Sequence, residues 1–222
     1  MQQYAALRAA GIQTPHTIAV TGTQAMIKAA RQMATPFITK HNRGGKGLGV
    51  YLFQHSKALA AAIEDARIEL PVDGIYLVQQ YIQSHAPFIT RCEFIDGQLV
   101  YAVQVSTENG FELCPADACQ AGDAWCPTTE GELPRFHIID SFNEPLLVKR
   151  YQAFLQANAI EVAGIEFITD GEGRHWTYDV NTNTNYNHAA EERAKVSAPK
   201  RLARFLGSLL NENTTYAESA VI

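Results

Sequence analysis

The sequence predicts an α+β protein with two lobes, and three patterns indicate this. Residues 56–68 carry apolar side chains at helical spacing and lie between two short apolar runs, 50–53 and 75–82, that are typical of strands. Further along, Asp96-Gly97 separates two strand-like runs, a strong hairpin signal. The segment around residues 170–173 separates a second such pair.

The first lobe is predicted to cover residues 12–82, after a short helix over residues 1–10. Thr23 is expected to cap a helix over residues 23–33, and a strand is expected over residues 36–40. Ser56 is expected to cap the helix over residues 56–68. The lobe is therefore expected to be a β-turn-β-α-β unit.

The second lobe is predicted to cover residues 83–212, and it begins with the hairpin of residues 88–95 and 98–105. An irregular insertion is expected over residues 106–140, where cysteine, glutamate and proline are frequent. A helix is then expected over residues 146–155, followed by a hairpin of strands 160–169 and 174–180. The last expected element is a helix from about Pro199, followed by a frayed tail after Asn211. Its inward-facing residues are expected to be Leu202, Phe205, Leu206, Leu209 and Leu210.

Composition excludes several classes of protein. With 46% hydrophobic residues and a formal charge of -5, the 222-residue chain fits neither disorder nor a dedicated nucleic-acid binder. No apolar run reaches the roughly 18 residues needed to cross a bilayer, and the first residues do not resemble a signal peptide. Four cysteines are too few for a disulfide scaffold. A cytoplasmic protein without a membrane or nucleic-acid partner is expected.

A glycine-rich segment, residues 40–49, has the composition of an anion-binding loop. Four of the six residues from Gly44 to Gly49 are glycine, so backbone amides can approach an anion closely. Lys40, Arg43 and Lys46 add positive charge. The segment is neither a Walker A loop nor a Rossmann turn, because a strand rather than a helix follows it. A phosphate-binding flap and a solvated surface hairpin both remain open.

The strand that ends with Gln79-Gln80-Tyr81-Ile82 is a candidate for recognition of a flat base. Backbone groups that lose their strand partners at its end could read the edge of adenine, and the two glutamine side chains would add donors and acceptors. An ordinary core strand is the alternative.

The last predicted hairpin carries two carboxylates and an amide. A turn centred between Glu172 and Gly173 would put Glu166 directly opposite Asp179, with Cβ atoms about 5 Å apart. Asn181 would share that face. Such oxygen ligands suit Mg²⁺ shared with substrate phosphates, although a register slip of one residue would spoil the geometry. The polar run that follows, residues 181–187, is expected to be a loop beside this site.

Taken in order, these segments resemble the ATP-grasp superfamily, particularly its glutathione-synthetase-like and ribosomal-protein glutamate ligase branch. The resemblance covers residues 10–210. It rests on Phe37-Ile38-Thr39-Lys40 with the glycine flap, Leu77-Val78-Gln79-Gln80-Tyr81-Ile82, Arg91-Cys92-Glu93-Phe94, Val100-Tyr101-Ala102-Val103, Gly164-Ile165-Glu166-Phe167 and Tyr178-Asp179-Val180-Asn181. The fold implied is two α+β lobes with antiparallel sheets that enclose a nucleotide cleft.

The resemblance also implies an enzyme, an ATP-dependent carboxylate–amine ligase that phosphorylates an acid and lets an amine displace phosphate. It implies the following roles: Lys40 and Arg91 catalytic; Lys40, Gly44, Gly45, Lys46, Gly47, Gly49, Gln79, Gln80, Tyr81 and Ile82 for ATP; Glu166, Asp179 and Asn181 for Mg²⁺, with Mn²⁺ possible; Asn183 and Asn185 for the substrate. Two alternatives are a non-catalytic nucleotide-binding module and a phosphotransferase.

Three departures from the family qualify these expectations. The α/β domain that normally precedes the lid is not seen in this sequence, which leaves three alternatives: a minimal protein, a truncated product, or a subunit whose missing half comes from a partner. A homo-oligomer also remains open. Gln104 and Val105 stand where glutamate ligases tend to carry basic residues, which argues against an acidic substrate. The insertion has no obvious counterpart. Its cysteines, Cys114, Cys119 and Cys126, are expected to be unpaired thiols rather than a zinc site completed by His137.

Overall fold

The computed structural model describes residues 2–44, 49–107 and 135–219, and it describes side chains as far as residue 211. These ranges contain six helices and nine strands, so the predicted α+β class is confirmed. The helices are α1 Gln2–Ala9, α2 Thr23–Ala30, α3 Ser56–Glu64, α4 Pro145–Ala157, α5 His188–Ala194 and α6 Ala198–Ser219. The strands are β1 Thr17–Thr21, β2 Phe37–His41, β3 Tyr51–Phe53, β4 Ile75–Gln80, β5 Phe88–Ile95, β6 Gln98–Ser106, β7 Phe136–Ile138, β8 Val162–Thr169 and β9 His175–Asn181.

The first sheet has four antiparallel strands in the order β1-β4-β2-β3. Helices α2 and α3 cover one of its faces, where a core forms around Met26, Phe37, Leu59 and Val78. Each of these side chains is fully buried and contributes about 1.5–3 kcal/mol relative to an exposed position. The apolar residues of α2 and α3 recur at helical spacing because they face this sheet.

Strand β1 was not predicted, and two predicted helix caps were wrong. The five residues of β1 are only partly buried or exposed, so they lack the apolar run that marks a buried strand. Gly22, rather than Thr23, is the N-cap of α2. The Nδ1 atom of His55 accepts from the amide of Ala58, so the ring of His55 caps α3 in place of Ser56.

The second sheet has five strands in the order β7-β6-β5-β8-β9. Helix α4 buries Tyr151, Phe154 and Leu155, and the ring of Tyr151 contacts the edge of Phe94 in β5. Strand β7 falls within the predicted insertion, most of which, including Cys114, Cys119 and Cys126, lies outside the described residues.

Helices α5 and α6 differ from the sequence prediction. Helix α5 was not predicted because its short sequence has no apolar stripe; the side chain of Asn187 caps it by accepting from Ala190. Helix α6 continues to Ser219 rather than ending near Asn211. Leu206 and Leu210 are 49% and 68% exposed, so the prediction that they face inward was wrong. On a helix they lie to one side of the stripe formed by Leu202, Phe205 and Leu209.

The described residues form two compact units. The first comprises residues 2–44, 49–89, 106–107 and 167–178, and the second comprises residues 90–105, 135–166 and 179–219. The predicted lobes 12–82 and 83–212 follow chain order, whereas residues 167–178 group with the N-terminal residues. A hydrogen bond from the amide of Thr177 to the carbonyl of Gln13 is one of the contacts that join residues 167–178 to the N-terminal residues.

No helix within the described part of the chain combines the length and apolar character needed to cross a membrane.

Candidate functional site

Lys40 lies near the end of β2, on the sheet face that α2 and α3 do not cover. The register pairs Lys40 with Leu77 and Thr39 with Val78, and because side chains alternate, Lys40 points away from the core that contains Val78. Its ammonium group lies 5.6 Å from the centre of the Tyr4 ring and 5.7 Å from that of Tyr178. Both distances lie within the range of cation–π attraction.

The glycine-rich segment is anchored on both sides, although Gly45, Lys46 and Gly47 lie outside the described residues. Asn42 donates to the carboxylate of Asp73, and the ring of His41 lies 3.1 Å from the carbonyl of Glu69. Gly49 has a φ of +71°, and an added Cβ would lie 2.9 Å from the His41 ring. Glycine is thus required at position 49 by backbone conformation and by close packing. Gly44 is exposed.

The two glutamines at the end of β4 have different surroundings. Gln79 is only 2% exposed, and its amide donates to the hydroxyl of Thr17 in β1. This contact within the sheet argues against the predicted contact of its side chain with a base. The backbone amide of Gln80 donates to the carbonyl of His16, and the side-chain oxygen of Gln80 accepts from the backbone amide of His16. Tyr81 and Ile82 follow the strand, and Ile82 is buried.

A buried ionic cluster joins β5 and β8 in the second unit. The Nε atom of Arg91 lies 2.6 Å from the carboxylate of Glu93, and Nη1 lies 3.8 Å from that of Glu166. The three side chains are 13%, 2% and 7% exposed, respectively. The hydroxyl of Thr184, from the loop after β9, donates to Glu93 at 2.8 Å and also contacts Arg91. Burial strengthens these interactions because little water screens them.

Burial also changes the protonation chemistry of the cluster. Loss of hydration raises the pKa of Glu93, while the charge of Arg91 and the hydrogen bond from Thr184 oppose that rise. Burial likewise raises the pKa of the neighbouring Cys92 thiol, which favours an inert thiol over a reactive thiolate.

A small cavity of about 20 Å³ lies beside this cluster. Its wall combines Arg91 and Glu93 with Asn185 and with apolar side chains such as Val103 and Phe136. The backbone carbonyl of Asn185 accepts a hydrogen bond from Arg91 at 3.4 Å. Asn185, a predicted substrate residue, therefore lies next to Arg91, whereas Asn183 is exposed and its amide donates to the side chain of Asn181.

The predicted register of the last hairpin is wrong at its turn. The amide of Asp170 donates to the carbonyl of Arg174, so the turn is centred on Glu172 rather than between Glu172 and Gly173. Carried unchanged along the strands, this register puts Asp179 opposite Ile165 instead of Glu166. Glu166 could pair with Asp179 only if a β-bulge between the turn and these residues shifted the register by one residue.

The chemistry of the predicted metal ligands still fits Mg²⁺. Glu166, Asp179 and Asn181 offer only oxygen donors, and Mg²⁺ is commonly held by one or two carboxylates together with substrate phosphates. Within the described ranges, no group of three or more His, Cys, Asp or Glu side chains is arranged to hold a metal ion.

Four residues of these sites were not singled out from the sequence: Tyr4, Tyr178, Glu93 and Thr184. Glu93 has a detectable signal, because an acidic residue inside the apolar strand Phe88–Ile95 is unusual and requires a partner. The other three give no such signal, since each depends on a contact with a residue far away in the sequence.

Comparison with known proteins agrees with the fold and with the arrangement of these segments. The family described as the RimK-like ATP-grasp domain matches residues 1–113, and the chain belongs to this family. No curated protein matches the sequence.

Several solved structures of ATP-grasp proteins have the same fold. The ATP-grasp ligase PsnB in complex with a minimal precursor is 16% identical, with a TM-score of 0.62 over 92% of this chain and 59% of that chain. A RimK-domain ATP-grasp protein from Sphaerobacter thermophilus is 19% identical, with a TM-score of 0.62 over 92% of this chain and 66% of that one. D-alanine–D-alanine ligase from Bacillus anthracis in complex with ATP is 16% identical, with a TM-score of 0.61 over 96% and 64%. The chain thus spans less than two thirds of the length of these proteins.

Proposed function

We propose that this protein binds ATP with Mg²⁺ and ligates a carboxylate to an amine through an acyl-phosphate. The observation that carries the proposal is the proximity of Arg91 to Glu166. A guanidinium that is only 13% exposed and a buried carboxylate lie 3.8 Å apart on adjacent strands, and they offer the two complementary groups that a metal-bound phosphate needs. Membership of the RimK-like ATP-grasp family supports the same reaction class.

Each residue has a distinct role in the proposed reaction. Lys40 and the backbone amides of the glycine-rich segment would bind phosphate oxygens. Arg91 would stabilise the negative charge of the transferring phosphoryl group and of the acyl-phosphate. Glu166, Asp179 and Asn181 would hold Mg²⁺, which neutralises phosphate charge when it is bound. Because the reaction depends on positioning and electrostatics, it needs no nucleophilic side chain.

Substrate ligands are proposed for the loop after β9. Asn185 lines the small cavity beside Arg91, so an acid held by the side chain of Asn185 would lie near the proposed phosphoryl-transfer site. Asn183 is included because it lies in the same polar loop. PsnB has been solved with a variant precursor, Mg and ADP, which makes a peptide a reasonable class of acid to test first.

The first test is thermal unfolding with ATP, with Mg²⁺ and with both. Ligand at 100 times its dissociation constant stabilises the native state by about 2.7 kcal/mol, which gives a clear midpoint shift. We expect a shift with ATP and Mg²⁺ together, and a much smaller shift in Glu166→Gln and Asp179→Asn. Glu172→Gln, an exposed glutamate in the turn of the same hairpin, should retain the wild-type shift. A folded wild type that shows no shift would refute the proposal.

A second test separates the ligase from its two alternatives. A ligase releases ADP steadily only when acid and amine are both supplied, because the amine displaces phosphate from the acyl-phosphate and allows the next turnover. With hydroxylamine as the amine, the product is a hydroxamate. ATP binding without ADP release would favour a non-catalytic module. ADP release with a stable phosphorylated product would favour a phosphotransferase.

A further inference from the structure

The ammonium group of Lys40 lies over two tyrosine rings that come from distant parts of the first unit. Tyr4 belongs to helix α1 and Tyr178 to strand β9, and the ring centres lie 5.6 and 5.7 Å from Nζ. We call Tyr4 and Tyr178 the Lys40 cage.

The cage is held together by contacts that do not involve Lys40. The hydroxyl of Tyr4 donates to the backbone carbonyl of Tyr178 at 2.9 Å, and the amide of Gln3 reaches the same carbonyl at 3.3 Å. Tyr4 is buried, as is Leu7 one turn further along α1. The position of the Tyr4 ring is therefore set by packing and by a hydrogen bond.

Aromatic partners suit a lysine that must bind an anion. A ring attracts the ammonium through its quadrupole and leaves its net charge unchanged, so the lysine can still attract a phosphate. Holding the flexible side chain before the ligand arrives also reduces the entropy lost on binding. The cage thus favours an extended lysine that retains its charge.

We infer that Tyr4 is a positioning residue, which orients the ammonium of Lys40 toward the phosphates of the nucleotide. This inference rests on the proposed function, because it assumes that Lys40 contacts ATP. It gives helix α1 a role in nucleotide affinity that its own sequence does not indicate.

The cage is tested first without any nucleotide. Protons on the lysine side chain that lie over aromatic faces resonate upfield, so the methylene protons next to Nζ of Lys40 should be shifted upfield in the wild type. The shift should persist in Tyr4→Phe, which keeps the ring, and diminish in Tyr4→Leu. Unshifted wild-type resonances would overturn the inference.

Nucleotide affinity then tests the positioning role. We expect Tyr4→Leu to weaken ATP binding about three- to ten-fold, and Tyr4→Phe to restore most of the affinity. In a Lys40→Met background the same Tyr4→Leu change should have no further effect, since there is no ammonium to orient. A general structural defect would instead weaken binding equally in both backgrounds and overturn the inference.

Two further measurements keep the outcomes distinct. If Tyr4→Leu does not fold, Tyr178→Leu removes the other ring of the cage and is expected to weaken ATP binding in the same way. If the wild type binds no ATP, the proposed function fails, and with it the phosphate role of the cage. If the wild type binds ATP and Tyr4→Leu binds it equally well, only the positioning role fails.

Discussion

Gly164 in β8 provides the space that the buried ionic cluster occupies. A Cβ atom added there would lie 2.6 Å from Nε of Arg91 and 3.1 Å from the carboxylate of Glu93. The first distance is shorter than real Cβ contacts and the second is tighter than an ordinary van der Waals contact, so the ion pair of Arg91 and Glu93 lies directly against the backbone of β8. The absence of a side chain at position 164 is therefore part of how the cluster is built.

Gly164→Ala is expected to lower the free energy of unfolding by roughly 1–3 kcal/mol, because it overpacks a buried site. Urea unfolding at pH 7 measures this change. Gly171→Ala is a suitable control, since an added Cβ there meets no atom within 4 Å. Equal effects of the two substitutions would contradict the steric explanation.

At the scale of elements, one carboxylate of α5 connects three segments of the second unit. Oε1 of Glu191 accepts from the hydroxyl of Tyr101 in β6 at 3.0 Å and from the amide of Ala198, the first residue of α6, at 2.8 Å. Glu191 is buried, so water cannot readily replace its hydrogen-bond partners, and losing them would cost free energy of folding.

Glu191→Ala should therefore cost about 2–4 kcal/mol of stability, since it leaves buried donors without an acceptor. Glu192→Ala is a matched control one residue away: its carboxylate is exposed and pairs only at the surface with His188, so a change within about 0.5 kcal/mol is expected. Denaturant unfolding monitored by circular dichroism compares the two. Similar losses in both variants would rule out the bridging role.

The turn between β8 and β9 shows why the predicted register is wrong at the turn. One oxygen of Asp170 accepts from the amides of Glu172 and Arg174, and the other accepts from the side chains of Arg174 and Trp176. Gly173 has a φ of +78°, which suits a three-residue turn with a glycine bulge. The side chain of Asp170 thus selects the turn, and glycine spacing alone could not distinguish turns that differ by one residue.

For the whole molecule, two carboxyl groups act on stability in separate pH ranges. Hydrogen bonds, chiefly from the indole of Trp176, lower the pKa of Asp170, so its contribution is present above the unfolded pKa of about 3.9 and is lost as the pH falls through the lowered value. Burial raises the pKa of Glu93 above its unfolded value of about 4.3. The folded state therefore keeps that proton longer, and stability falls as the pH rises through the raised pKa.

The effect of Glu93 is tested by measuring the free energy of unfolding from pH 4.5 to pH 8 in the wild type and in Glu93→Gln. The wild type should lose stability relative to Glu93→Gln as the pH rises, because only the wild type must ionise a buried carboxyl. Glu172→Gln, at an exposed position, should follow the wild type. Parallel curves for the wild type and Glu93→Gln would show that Glu93 has an ordinary pKa in the folded protein.

The sequence by itself determined the α+β class, the helices with an apolar stripe and the two hairpins whose turns contain an aspartate–glycine pair. These features depend on interactions between residues close in the chain, and local periodicity and turn chemistry report such interactions directly. The order of motifs from Lys40 to Asn181 was sufficient to identify the superfamily.

Only the tertiary structure decided which side chains meet. The cage of Lys40 joins residues 4, 40 and 178, and the cluster of Arg91 joins strands β5 and β8 with Thr184. Gln79 was assigned to a ligand from the sequence, but its partner Thr17 lies in β1, a strand too weakly patterned to predict. Contacts between residues distant in the chain depend on strand order and register, and a one-residue shift in a turn is enough to move a side chain to the other face of a sheet.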